Sequence, residues 1–249
     1  MGRVPAPEGL ITHRVSPETF DASHVDIEGD AYRHLFRARR LAVGARIHVV
    51  DGEGRARWGE VESVDRRRAT LRLGESAPSH ESDLSVELWV GALRKERASW
   101  LVEKATELGV TSIHFFASER TPRNYGDGHL GRLGRVAVAA VEQCHRARVP
   151  EITGVDPWST LGEHLTHSAD GTVRLVLDAS GLAIGPWLRQ RSLPEAPVVQ
   201  LVVGPEGGLT PSELQQLADL GVESVHLGRR TLRVETAAIA ALAALTTAH

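Results

Sequence analysis

Residues 202 to 214, VVGPEGGLTPSEL, run from a β-branched apolar stretch into the loop Gly204-Pro205-Glu206-Gly207-Gly208 and from there straight into a capped helix. A loop of this composition exposes backbone amides and carbonyls with almost no side chain in the way, so a flat ligand can approach the main chain. Phosphate cradling is excluded: no Gly-Lys-Ser/Thr follows, and the G-x-G-x-x-G spacing that seats a pyrophosphate is missing. A second kind of chemistry is carried by arginine. From Tyr32 to Val50 the chain has Arg33, Arg37, Arg39, Arg40 and Arg46 and no carboxylate, and another knot follows at Arg66, Arg67, Arg68 and Arg72. Only Lys95 and Lys104 are lysine. Guanidinium groups offer planar, bidentate donors to phosphate and stack on bases, so the 33 to 46 cluster reads as an RNA grip rather than a solvated face.

Other reactive residue types give bland readings. Cys144 beside His145 lies mid-helix with no activating environment in the sequence, and reads as a structural thiol. His164 and His167 have helical spacing but no third ligand, so no metal site is expected. Glu103, Lys104 and Glu107 read as a solvated helix face.

The elements that must position these residues fall into two patterns. Residues 1 to 75 read as short strands with turns: RIHVV, the punctuation of Asp51-Gly52 and Gly54, alternating Trp58, Val61 and Val64, and ATLRLGE, after a short helix around Asp30 to Arg39. The polar, aperiodic stretch 76 to 85 reads as a linker. From 86 to 249 strands alternate with helices, the signature of a mainly parallel sheet covered on both faces. Strands are expected at 86–93, 110–118, 172–178 and 198–203, and helices at 98–109 and 129–147. Thr210 and Glu213 form a Thr-x-x-Glu capping box, with Pro211 at the first helical position and Gly221 as the stop. The glycine loop therefore sits at the carboxyl end of a strand, where open α/β sheets bind ligands. Residues 236 to 245 are small or apolar on every face, which requires a helix covered all round, in the core or at a subunit interface.

At 249 residues the chain is long enough for two domains of ordinary size, with 24% charged and 41% hydrophobic residues. The opening MGRVPAPEGL lacks the apolar core of a secretory signal, and no run approaches the roughly 18 apolar residues of a membrane span. A single cysteine excludes an internal disulfide framework and fits a reducing cytoplasm. The formal net charge of −3 excludes a uniformly basic nucleic-acid binder and leaves the clustered one.

EKATELGVTSIHFFASER, AVAAVEQCHRARVPEI and above all LVVGPEGGLTPSEL followed by HLGRRTLRVETAAIAALAAL together resemble the RsmE family of 16S ribosomal RNA methyltransferases, of the SPOUT class. HLFRARRLAVGARIHVVDGEGR is similar to that family's amino-terminal PUA-like RNA-binding module. The resemblance implies a trefoil knot in the carboxyl-terminal domain, S-adenosylmethionine as methyl donor, a homodimer, and transfer to N3 of a uridine in the decoding region of 16S rRNA in the small ribosomal subunit. It implies a cofactor pocket made of Gly204, Pro205, Glu206, Gly207, Gly208, Leu227 and Gly228, completed by Leu177 and Leu232, chiefly through backbone contacts. The chain departs from the family pattern at Gly228-Arg229-Arg230, where Gly-Pro-Arg is usual, at Val234 for threonine, and at Ala147 for asparagine.

Deprotonating uracil N3 at neutral pH costs about 3 kcal/mol, at ~1.4 per pKa unit, and a fixed guanidinium near O2 or O4 would stabilise the anion. Under the resemblance Arg233 is the candidate cation and Glu235 its orienter or a base; the alternative is an ordinary ion pair between the two. Arg120, Arg146 and Arg148 read as further RNA contacts, and Glu206 as a substrate contact or a cap of its own loop. The competing functions are a SPOUT enzyme acting on a ribose 2′-hydroxyl or another base, and a non-catalytic RNA-binding or ribosome assembly factor.

Overall fold

The computed structural model describes residues 9–120, 125–191 and 196–248. Most of the opening segment in which no signal sequence was expected therefore lies outside the described residues. The chain divides into two compact units: residues up to Glu81 together with Val141–Val149, and Ser82–Ala140 together with Pro150–His249.

The first unit contains β1 (Thr12–Arg14), α1 (Pro17–Phe20), β2 (His24–Glu28), α2 (Gly29–Tyr32), β3 (Arg46–Val50), β4 (Ala56–Val64) and β5 (Arg68–Ser76). Its sheet has the order β1-β3-β4-β5-β2, antiparallel throughout except for β1 beside β3. Period-2 alternation buries Val25 and Ile27 of β2 while His24, Asp26 and Glu28 face solvent. The helix expected at 30–39 is an α-helical turn, α2, continued at Arg33–Ala38 as a π-helix. Tyr32, Leu35 and Phe36 thereby reach the core, and Arg33 and Arg37 point outward.

One sequence expectation changes here. The boundary between the units, at Glu81 and Ser82, lies within the stretch 76–85, and the Glu81 carboxylate accepts from Arg146 Nη2 at 2.8 Å and from the amides of Ala147 and Arg148 at 2.9 Å each. For the same reason Val141–Val149 packs with the first unit rather than with 86–249, and Ala147 is fully buried against Val50, Ala56 and Val141. Local pattern could not show this, since the bonds span 65 residues or more.

The second unit runs β6 (Ser85–Gly91), α3 (Lys95–Glu107), β7 (Ser112–Ala117), α4 (Asp127–Cys144), β8 (Glu151–Pro157), α5 (Trp158–Thr166), β9 (Val173–Ala183), α6 (Ile184–Gln190), β10 (Val198–Val203), α7 (Pro211–Asp219), β11 (Glu223–His226) and α8 (Val234–Ala248). The strands form one parallel sheet, β11-β9-β10-β6-β7-β8. Its central strands are apolar because both faces are covered, with Leu88, Trp89, Val90, Leu201 and Val202 essentially inaccessible. β8 and β11 escaped the sequence reading: β8 is half-exposed throughout, and β11 has four residues. α8 packs on α3 and α6, burying Val234, Ala238, Ala241, Leu242 and Leu245 and leaving Ile239, Ala240, Ala243 and Ala244 half-buried. Among the described residues no helix is long and apolar enough to cross a membrane.

Candidate active site

Three segments at the carboxyl ends of neighbouring parallel strands enclose a cleft of about 530 Å³, within the few-hundred-to-1,000 Å³ range of small-molecule sites. The first comes from β9. It pairs with β11 up to Val176, opposite Ser224, and resumes at Leu182, opposite Val225, so residues 177 to 181 bulge out of the ladder. Asp178 stabilises the bulge by accepting from the Ser180 amide at 2.9 Å. Where β9 returns, a methyl group on Gly181 would lie 2.0 Å from the Ser224 carbonyl oxygen, so only glycine permits this approach.

The second segment is the glycine loop after β10. It closes as a turn in which the Gly208 amide donates to the Pro205 carbonyl at 2.8 Å. Pro205 packs so closely on the end of β6 that a methyl group at Gly91 would lie 2.5 Å from its nitrogen. The predicted capping box follows: Thr210 Oγ1 accepts from the Glu213 amide at 3.2 Å, and Glu213 Oε2 accepts from the Thr210 amide at 2.7 Å. Glu213 Oε1 also accepts from the Glu119 amide at 3.0 Å, tying the end of β7 to the start of α7. The third segment, 227 to 233, joins β11 to α8 without regular structure, which leaves backbone polar groups outside any ladder.

The cleft brings together most of the residues singled out in the sequence. Leu177, Gly204, Pro205, Glu206, Gly208, Leu227, Gly228, Leu232 and Arg233 line it. Gly207 does not; its carbonyl accepts from Arg120 Nη1 at 2.9 Å, so Arg120 braces the loop. Aliphatic walls from Leu177, Val203, Leu209 and Leu214, with irregular backbone between them, suit a flat aromatic ring with polar edges better than a phosphate.

Arg233 and Glu235 form no ion pair. Arg233 is exposed, and its side chain makes no hydrogen bond or ion pair with the described residues. Glu235 turns instead toward α3, where its Oε1 lies 3.6 Å from Arg97 Nε. Its side chain is only 10% exposed, and Oε2 is buried without a hydrogen-bond partner among the described residues. Arg97 also stands 3.7 Å from Glu206 Oε1 and lines the cleft. Sequence reasoning missed Arg97. The available signal was its position just past the carboxyl end of β6, the sheet edge at which the glycine loop was correctly placed.

The remaining arginines separate into engaged and unengaged groups. Arg146, expected on RNA, is 4% exposed and held by Glu81, so it is an internal ion pair and not a surface contact. Arg33 pairs with Asp30, Arg37 donates to the Arg66 carbonyl at 3.1 Å, and Arg46 stacks over Trp58 at 4.6 Å. Arg39 and Arg40 are exposed and make no side-chain hydrogen bond or ion pair with the described residues; Arg148 is exposed beside Gly54. His164 Nε2 meets Glu87 Oε2 at 2.9 Å while His167 Nδ1 bonds the Glu163 carbonyl at 2.7 Å, so the two histidines serve different partners.

Residues 80–246 match the model of an RNA methyltransferase domain, and residues 27–74 that of an RNA methyltransferase PUA domain. The residues that line the cleft thus lie within an RNA methyltransferase domain. More narrowly, the chain belongs to the ribosomal RNA small subunit methyltransferase E family. It is 33% identical to the family member of Mycobacterium bovis over 227 residues, covering 88% of this chain and 84% of that one, and 26% identical to that of Bacillus subtilis, covering 90% of each. A crystal structure of the Neisseria gonorrhoeae ribosomal RNA small subunit methyltransferase E bound to S-adenosyl methionine is similar with a TM-score of 0.82 and 27% identity, over 96% of this chain and 97% of that one.

Proposed function

We propose that the protein transfers a methyl group from S-adenosylmethionine to N3 of a uridine in the decoding region of 16S rRNA, acting on the small ribosomal subunit in the cytoplasm. The observation that carries the reading is the glycine-rich, aliphatic cleft at the ends of β9, β10 and β11 with arginines around it, in a chain of this family. When bound, S-adenosylmethionine would supply a methyl on a sulfonium that leaves as a neutral thioether, with N3 taking the methyl carbon and its proton passing to water.

The chain's own residues bind and orient. Gly204, Pro205, Gly208, Leu227 and Gly228 hold the adenosine and methionine parts through main-chain contacts, and Leu177 and Leu232 cover the ring. Arg229, Arg230 and Arg233, exposed at the cleft, meet the RNA backbone. Arg39, Arg40 and Arg148 extend the phosphate contacts, fixing position rather than sequence. Threading of the carboxyl-terminal segment as a trefoil knot belongs to the same reading, supported by the bulge at 177 to 181 and the tight pass of Gly181 against Ser224. A homodimer is supported by the half-buried apolar face of α8; sedimentation should give twice the 27.0 kDa chain mass, and a monomer alone would refute it.

N3 is the central pairing donor of uracil, so the base must be unpaired during attack, which favours a folded ribosomal site over free RNA. Small subunits lacking the modification, incubated with the protein and S-adenosylmethionine, should acquire 3-methyluridine and a single reverse-transcriptase stop, faster than free 16S rRNA. Recovery of 2′-O-methyl or 5-methyl nucleosides would assign a different target atom. Cofactor binding without transfer would make the protein an assembly factor.

A further inference from the structure

We propose that Arg97, rather than Arg233, is the catalytic cation of the cleft, and that Glu235 is a positioning residue acting through it. The proposal rests on the uridine-N3 reading, in which negative charge develops on a uracil oxygen as the N3 proton passes to solvent water. A cation stabilises such charge most when it is already fixed before the reaction, because no reorganisation is then needed.

The two candidates differ in that respect. Arg233 lines the cleft but is exposed and without a side-chain partner among the described residues. Arg97 sits in the first turn of α3 with its Nε 3.6 Å from Glu235 Oε1 and its Nη1 3.7 Å from Glu206 Oε1, and its side chain is 31% exposed. Two carboxylates from two other elements, the start of α8 and the glycine loop, thus fix the guanidinium. Both separations exceed hydrogen-bond length, so these contacts orient the group by charge without using up its five N–H donors. Nη2 lies in neither ion pair.

Burial of Glu235 argues against direct action on the base. Its side chain is 10% exposed, it does not line the cleft, and its Oε2 is enclosed. A carboxylate so placed stands behind Arg97 and aims it. Gly91 completes the arrangement, since the close pass of β6 on Pro205 delivers the start of α3 to the loop.

The test compares Arg97→Ala, Arg97→Lys, Arg233→Ala, Glu235→Gln and the Arg97→Ala/Glu235→Gln double variant in single-turnover methylation of unmodified small subunits. Calorimetric binding of S-adenosylhomocysteine and thermal unfolding are measured on each. Arg97→Ala should lower the single-turnover rate about a hundredfold with S-adenosylhomocysteine affinity within twofold of the parent, and Arg97→Lys should recover part of the rate. Arg233→Ala should lose less rate than Arg97→Ala. Glu235→Gln should slow the parent but add little in the Arg97→Ala background, because it acts through Arg97. A rate loss matched by an equal loss of S-adenosylhomocysteine affinity would make Arg97 a cofactor anchor and overturn the proposal, as would additive effects of the two substitutions or an unchanged rate. Nucleoside analysis of the parent product separately tests N3 as the target, so failure of that reading is distinguishable from failure of Arg97.

Discussion

In the second unit the cleft is largely main chain and aliphatic side chain, with glycines where strands and loops pass closely and with Arg97, Arg229, Arg230 and Arg233 among its lining. The first unit offers side chains: a twisted sheet carries arginine on its outer surface, some bonded internally as Arg57 is to the Phe20 and Leu73 carbonyls, others, such as Arg39 and Arg40, without side-chain hydrogen bonds or ion pairs among the described residues. One surface presents shaped backbone, the other charge. A shape-dependent site should fail abruptly when a single methyl group is added, whereas a charge-dependent one should weaken by increments as cations are removed.

The largest effect should come from testing shape. Gly181→Ala places a carbon 2.0 Å from the Ser224 carbonyl oxygen, an overlap with rigid backbone that should destabilise the protein by about 3 kcal/mol and abolish S-adenosylhomocysteine binding by calorimetry. A variant that binds normally would show that the bulge at 177 to 181 adapts. Nearly as large is the effect of Arg146→Ala, which removes a buried guanidinium from the half-buried Glu81 carboxylate and should cost about 3 kcal/mol in denaturant unfolding. If Arg146 instead served RNA, stability would hold and RNA affinity would fall.

Removing charge from the exposed set should act more mildly. Replacing Arg37, Arg39 and Arg40 by alanine should weaken RNA binding about tenfold at moderate salt and make its dependence on salt shallower, with each lost phosphate contact reducing the slope by about 0.7 to 0.9. Cofactor affinity should stay constant, and an unaltered salt slope would return the cluster to solvation.

The smallest expected effect concerns protons. Burial pushes the His48 imidazole down, against an opposing bond to the Pro78 carbonyl, and burial likewise lowers His114. The unfolded chain therefore takes up protons first as pH falls through the ordinary histidine range near 6.5. Stability is fully present above that pH and declines below it. The melting temperature should drop by a few degrees between pH 7.5 and pH 5.5, and the drop should be smaller in His48→Gln. Equal drops in the two proteins would remove His48 from the account.

Much of this molecule was legible as a line of residues. The alternation in β2, the apolar runs of β6 and β10, the Thr210–Glu213 capping box and the glycine loop at a strand end all follow from periods of two and 3.6 and from turn chemistry, which act within a few residues. The same local signals placed the glycine loop of the cleft, while Leu177, Leu227, Gly228 and Leu232 of its lining were implied by the family resemblance. Local signals failed at Arg146, read as a surface cation because nothing within reach along the chain indicated Glu81 as its partner, and at Glu235, whose nearest arginine in sequence is not its partner in space.

What the amino-acid sequence determined by itself was most of the elements, the glycine-rich character of the loop after β10 and membership in a methyltransferase family. Only the tertiary structure decided which charges meet. The packing of α3 beside α8, and of Gly91 under Pro205, brings Arg97 to Glu235 and Glu206 across more than a hundred residues. An ion pair depends on distances of a few ångströms that packing of the whole sheet sets, and no local pattern encodes them.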